Sequence, residues 1–186
     1  MATCKIEEIS GPYHTFFTKR FDRNGTERIH FALTMTGYVE EMLRDRMDSY
    51  LDISEFIQFS CVNVKENLHQ LWRRIVLYIA ISNTDDHLRN HGFIIYNNGW
   101  ILSPAFDLNP SVDISGLALN IDMDNNALDF DLVRSVGEYF QLAVKEMDLI
   151  INEINSAVKD WKKVAQKTSI SRNEMDYMER AFRVKG

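Results

Sequence analysis

Asp85 and Asn90 stand five positions apart in the polar stretch Ser82 to Gly92 (SNTDDHLRNHG), and a second carboxylate, Asp107, follows beyond an apolar segment. Carboxylates and side-chain amides offer hard oxygens, the donors that Mg2+ takes, and a carboxylate can also orient an attacking hydroxyl and accept its proton. Phosphoryl transfer needs both services. The same three oxygens, with water as the acceptor, would suit a metal-dependent phosphohydrolase. Asp and Asn are also favoured in turns for their local hydrogen bonds, so the pattern D-x-x-x-x-N acquires meaning only from the elements around it.

Other polar groups carry less. His87 and His91 would share a face if helical, but no HExxH and no third soft ligand accompany them, so zinc is not indicated. The run Asp122 to Asn126 resembles the first half of a calcium loop, yet Ala127 stands where glycine is required and Val133 where the bidentate glutamate belongs; a solvated turn is the reading. His14, His30 and His69 read as structural or surface residues. Trp72, Trp100 and Trp161 occupy apolar helix or strand positions and read as core or partly buried residues rather than as a stacking platform for bases.

A helix before the polar stretch and a hairpin after it would position the three oxygens. Glu66 to Ile81 repeats apolar residues at helical spacing (Leu68, Leu71, Trp72, Ile75, Val76, Ile79). Phe93 to Tyr96, the turn Asn97-Asn98-Gly99, and Trp100 to Leu102 read as a β-hairpin. Upstream, Ile53 to Ser60 reads as a helix, and Thr15 to Phe21 (TFFTKRF) as a strand running into the turn-forming cluster Asp22 to Gly25. No strand pattern surrounds Lys5. Leu117 to Ile121 reads as a further strand, and Phe130 to Phe140, Leu142 to Val164 and Ser171 to Val184 as amphipathic helices forming a bundle. Repeats, low-complexity tracts and Pro/Ser linkers are absent from the sequence. The expectation is therefore one domain over residues 1–186, α+β and mostly helical.

Composition bounds the partners. Hydrophobic residues make up 45% and charged residues 26% of the 186, enough to bury a core and too apolar for disorder. A net charge of -6 and a pI near 5.4 argue against general nucleic-acid binding, which needs a lysine and arginine surplus. Cys4 and Cys61 form no CxxC, which fits a reducing compartment. With no export signal and no apolar run of spanning length, the expected location is cytoplasmic, without membrane contact.

Whole segments carry a resemblance. Asn83 to Gly92 (NTDDHLRNHG) and Ser103 to Pro110 (SPAFDLNP) resemble the catalytic and metal-binding segments of the HipA-type serine/threonine kinases of bacterial toxin–antitoxin systems. Lys19 to Arg23 (KRFDR) and Arg28 to Phe31 (RIHF) are similar to the stretch joining the two lobes of that family. The order aspartate, asparagine five positions on, hairpin, aspartate is also that of protein kinases generally. The resemblance implies a protein-kinase-like C-lobe with a catalytic-loop hairpin, residues about 15–31 being what remains of the inter-lobe hinge. It implies Asp85 as base, Asn90 and Asp107 as Mg2+ ligands, His87 as a brace of the loop and Arg89 as a cationic partner for transferred phosphate. Main-chain groups of Lys19, Arg20 and Phe21 would meet the adenine edge of ATP, and a protein hydroxyl would be the acceptor.

The family's phosphate-cradling loop and nucleotide lysine have no counterpart in the sequence: only Gly11 precedes Gly25, and no GxGxxG or GxxxxGK[ST] occurs. The expectation is a chain whose N-lobe is missing, by truncation or because it is separately encoded, or one that has lost catalysis. In the last case it would serve as a protein-binding module, engaging a DNA-binding antitoxin through its helices. An apolar face left by the missing lobe would favour pairing or a homodimer.

Overall fold

The computed structural model describes residues 2–11, 13–33, 49–96 and 99–184. The chain opens with two strands, β1 (Cys4–Ser10) and β2 (Tyr13–Thr18), paired antiparallel from Cys4 opposite Thr18 to Ser10 opposite Tyr13. Lys5 therefore lies in a strand, against expectation. Glu7, Glu8 and Lys5 are poor strand formers and every β1 residue is exposed, so no buried alternation marks the strand in the sequence. Strand β2 ends at Thr18 instead of Phe21, and the turn at Gly25 is closed by two short strands, β3 (Arg23–Asn24) and β4 (Glu27–Arg28). Gly25 takes φ +62, a conformation glycine adopts without steric cost.

Strand β5 (Phe31–Leu33) pairs with β6 (Gly92–Tyr96), which pairs in turn with β7 (Gly99–Leu102), giving a three-stranded antiparallel sheet. The expected hairpin is present; Asn97 and Asn98 of its expected turn lie outside the described residues.

Helix α1 (Tyr50–Ser60) starts at a reciprocal cap: the Ser49 hydroxyl accepts from the Asp52 amide at 3.3 Å, and the Asp52 carboxylate accepts from the Ser49 amide at 2.9 Å. Helix α2 (Val64–Ile81) is central. Its predicted stripe of Leu68, Leu71, Trp72, Ile75, Val76 and Ile79 is fully buried against α1, α4 (Val144–Lys159) and the sheet. Trp72 Nε1 donates to the Val133 carbonyl at 3.0 Å, so the indole is buried with its one donor satisfied.

Four expected elements come out differently: the strand over 117–121 does not form, and the helices over 130–140, 142–164 and 171–184 are divided. Leu117, Leu119 and Ile121 are buried as a strand would bury them, but Asn120 makes only an isolated bridge with Ser49. The amides of Leu117 and Ile121 bond instead to the carbonyls of Asn126 and Asn125, closing a loop on itself. The helix expected over Phe130 to Phe140 stops as α3 (Phe130–Ser135) and resumes as a 3₁₀ turn, Gly137–Phe140. The one expected over Leu142 to Val164 breaks at Asp160 into α4 and α5 (Trp161–Lys167), which lets Trp161 stack on Phe182 at 4.1 Å between ring centres. Helix α6 (Arg172–Met178) begins at a capping box of Ser171 and Glu174, and a 3₁₀ turn, Glu179–Ala181, follows it. The chain then leaves the helix because the Arg183 amide bonds to the Ala80 carbonyl near the end of α2. The architecture is α+β with helices dominant. No helix among the described residues is long and apolar enough to cross a membrane.

Candidate active site

The end of α2 sets the site. Ser82 takes the left-handed conformation (φ 50), and the Asn83 amide bonds back to the Tyr78 carbonyl at 2.9 Å, which stops the helix and turns the chain into the polar loop. Within the loop a 3₁₀ turn over Leu88–Asn90 is closed by the Asn90 amide on the His87 carbonyl at 2.8 Å and the His91 amide on Leu88 at 3.2 Å. The side-chain nitrogen of Asn90 donates to the Asp85 carbonyl at 3.0 Å. That bond joins the two residues that the spacing singled out, and it leaves the Asn90 Oδ1 as the atom open to a cation. Asp85 projects into solvent, whereas Asn90 is buried.

The segment carrying Asp107 is stitched to the base of this loop. Asn83 Oδ1 accepts from the Asn109 amide at 3.1 Å, and the Ser82 carbonyl accepts from the Ser111 amide at 3.1 Å. At the other end of the segment, the buried Arg74 guanidinium of α2 donates to the Ser103 carbonyl, and the Ser103 amide bonds to Gly92 at 2.8 Å. A Cβ at Gly92 would run into the Phe31 ring, so this close approach of β5 and β6 needs glycine. Asp107 has φ 55, and its Oδ1 accepts from the Asn109 side-chain amide at 2.7 Å. Local hydrogen bonding of this kind is what allows Asp a left-handed conformation.

Both candidate ligands thus present a hard oxygen, Asn90 Oδ1 and the second oxygen of Asp107, which is the donor set Mg2+ prefers. Among the described residues no three His, Cys, Asp or Glu side chains converge on one point. Mg2+ shared between one or two protein oxygens, phosphates and water needs no such cluster.

Lys19, Arg20 and Phe21 share a cleft with Phe106. The Lys19 amide is engaged with the Thr3 carbonyl at 2.8 Å, and Arg20 Nε donates to Asp22 at 2.8 Å, a bond that holds the Asp22 carboxyl below its ordinary range. The Phe21 ring lies 5.5 Å from Phe31 and 5.8 Å from Phe106, and these rings with Ala2 line a cleft of about 270 Å3. Phe106 precedes Asp107 directly, so the apolar cleft and the candidate metal-ligating carboxylate are neighbours in the chain. His87 contributes its carbonyl to the loop turn, but its ring makes no hydrogen bond among the described residues; Arg89 is exposed and unpaired there.

Beneath the loop is a group that motif reading passes over. Asp86 is completely buried, and its Oδ2 accepts from the Tyr50 hydroxyl at 2.7 Å and lies 2.9 Å from His91 Nε2. Tyr50 and Tyr78 set their rings against His91, with centres 5.8 and 6.1 Å away. Burial, followed by the Asp86 charge, pushes both phenols well above their ordinary range, and burial pulls Arg74 down from its own. The one available signal was Arg74, a charge set inside the apolar stripe of α2, which requires buried polar partners nearby.

A family model described as the HipA-like C-terminal domain matches residues 1–161. Among solved structures, a chain of the Shewanella oneidensis MR-1 toxin–antitoxin complex of HipA, HipB and operator DNA is similar, with TM-score 0.66 and 18% identity over 97% of this chain. This chain spans 49% of that one. No curated protein matches the sequence.

Proposed function

The chain belongs to the HipA-like C-terminal domain family, and from that premise we propose that it is the catalytic lobe of a serine/threonine kinase that moves the γ-phosphate of ATP to a protein hydroxyl. The observation that carries this reading is the stitching of the Asp107 segment to the Asp85–Asn90 loop through Asn83 and Ser82. Turn-forming residues serving only their own loops would not require it.

In this reading Asp85, exposed at the rim, orients the acceptor hydroxyl and takes its proton. Asn90 and Asp107 hold Mg2+, which when bound neutralises charge on the phosphates. Arg89 stands ready for the transferred phosphate. The Phe21, Phe31 and Phe106 cleft takes the adenine, and the Arg20 and Phe21 amides, which donate to nothing among the described residues, meet its polar edge. The phosphate-cradling loop comes from a β-rich lobe, on the same polypeptide or a second one, and the setting is a toxin–antitoxin system with a DNA-binding antitoxin as partner.

The test mixes the full chain with the amino-terminal lobe of a matching HipA-type protein and follows labelled phosphate from ATP to protein. Transfer is expected to depend on Mg2+ and to fall by roughly 10²- to 10⁴-fold in Asp85→Ala, the range for loss of a general base. No transfer from the mixture, or transfer untouched by Asp85→Ala, overturns the kinase reading. Inorganic phosphate released without labelled protein would establish a phosphohydrolase instead. Failure of the chain to bind Mg2+–ATP at all would leave the protein-binding module.

A further inference from the structure

The loop is closed twice, and the two closures use adjacent residues. On the outer side Asn90 bonds to the Asp85 carbonyl at 3.0 Å; on the inner side His91 Nε2 lies 2.9 Å from Asp86 Oδ2. Asp85 and Asn90 are thus each followed by a buried anchor, and the anchors hold each other. A carboxylate can only accept, so the Asp86 contact fixes the His91 tautomer with its proton on Nε2. The Tyr50 hydroxyl donates to the same carboxylate oxygen and ties the clasp to the first residue of α1. Rings from α1 and α2, stacked on each other, both stand T-shaped to the imidazole.

A buried charged clasp is a poor way to gain stability, because desolvation cancels most of its attraction and apolar residues of similar size would pack as well. What it does supply is geometry. Its bonds have fixed directions, and they act on the main chain one residue from Asp85 and one residue from Asn90.

We propose that Asp86, His91 and Tyr50 form a positioning clasp that sets the spacing and aim of Asp85 and Asn90 without touching substrate. Its catalytic consequence rests on the kinase reading above; its structural consequence does not. A misplacement of about 1 Å in such a site costs on the order of a hundredfold in rate.

Four variants of the full chain test it, with the complementary lobe added for activity. His91→Leu removes the donor. His91→Gln replaces it with an amide nitrogen able to reach the same carboxylate. Tyr50→Phe removes a single oxygen and keeps the ring, and Asp86→Ala removes the acceptor. For His91→Leu we expect kcat to fall ten- to a hundredfold with KM for ATP within about threefold. His91→Gln should recover most of that loss, and Tyr50→Phe should lie between.

Hydrogen exchange at the Asn90 and His91 amides gives a readout that needs no activity. It should quicken at least tenfold in His91→Leu and return in His91→Gln, while α2 stays protected. If the wild-type mixture transfers no phosphate, the kinase reading fails and exchange alone decides the clasp. Exchange unchanged in both His91→Leu and Tyr50→Phe overturns the proposal. So does a His91→Gln no better than His91→Leu, or a loss of protection in α2 equal to that in the loop, which would mean general destabilisation. Should His91→Leu and Asp86→Ala fail to fold, Tyr50→Phe and His91→Gln still decide it.

Discussion

Asp107 combines two properties that substitution can separate: a carboxylate proposed to hold Mg2+ and a left-handed main chain at φ 55. A non-glycine residue pays for that conformation, and Asp recovers part of the cost through its bond to Asn109 at 2.7 Å. Alanine loses the bond and keeps the penalty; glycine loses the bond and the penalty together. Asp107→Gly should therefore be more stable than Asp107→Ala by about 1 kcal/mol, read from urea midpoints at equal slope. Both should lose Mg2+-dependent nucleotide binding, because neither keeps the oxygen. Equal stability of the two would mean that the backbone relaxes freely at this position. At this scale the sequence was legible where residues are related by spacing. Asp85 and Asn90 are five apart and are joined by a hydrogen bond, and Asp107 follows the hairpin. Asp86 and His91 were illegible because their role depends on burial. In the string NTDDHLRNHG nothing distinguishes the aspartate that faces water from the one that is sealed beneath the loop.

Elements were legible in proportion to how one-sided their burial is. Helix α2 shows its stripe because one continuous face meets α1, α4 and the sheet, and the hairpin β6–β7 shows its punctuation. Strand β1 has no buried face to show, and the break at Asp160 depends on a distant event, the stacking of Trp161 on Phe182. No local propensity encodes that contact. The start of α1 is encoded locally, by Ser49 and Asp52, and it matters for function because the next residue, Tyr50, reaches Asp86. Ser49→Ala removes one side of a reciprocal cap and should cost about 1 kcal/mol. For a chain of this size that lowers the midpoint of thermal unfolding by roughly 2–4 °C. Calorimetry on Ser49→Ala checks it. An unchanged midpoint would show that the Ser49 main chain, held by its bridge to Asn120, positions α1 without the hydroxyl.

For the molecule as a whole, the β1–β2 hairpin stands apart from the core that organises everything else. All seven residues of β1 are exposed, and Ile9, Tyr13 and Phe16 present large apolar surfaces to water. Among the described residues its main-chain hydrogen bond to the body is at its base, where the Ala2 amide bonds to the Ala105 carbonyl at 2.9 Å, and the Lys19 amide closes that base on Thr3 at 2.8 Å; farther out, the link is an electrostatic one, between His14 of β2 and Glu174 of α6. A two-stranded hairpin without a buried face is marginally stable in water, whereas α2 opens only with the entire fold. The paired amides of β1 and β2 should therefore exchange with solvent at least a thousandfold faster than those of Ile75 and Val76. Exchange followed by mass spectrometry or NMR on the chain alone measures this directly. Adding the β-rich lobe proposed to supply the phosphate loop should slow exchange in the hairpin and leave α2 unchanged, since the lobe would complete a sheet that is only two strands wide here. Phe16→Glu, which places a charge on that apolar surface, should abolish the added protection without lowering the stability of the body. Hairpin amides as slow as those of α2 in the isolated chain would show that β1 and β2 belong to the cooperative core, and the lobe would then have to dock elsewhere.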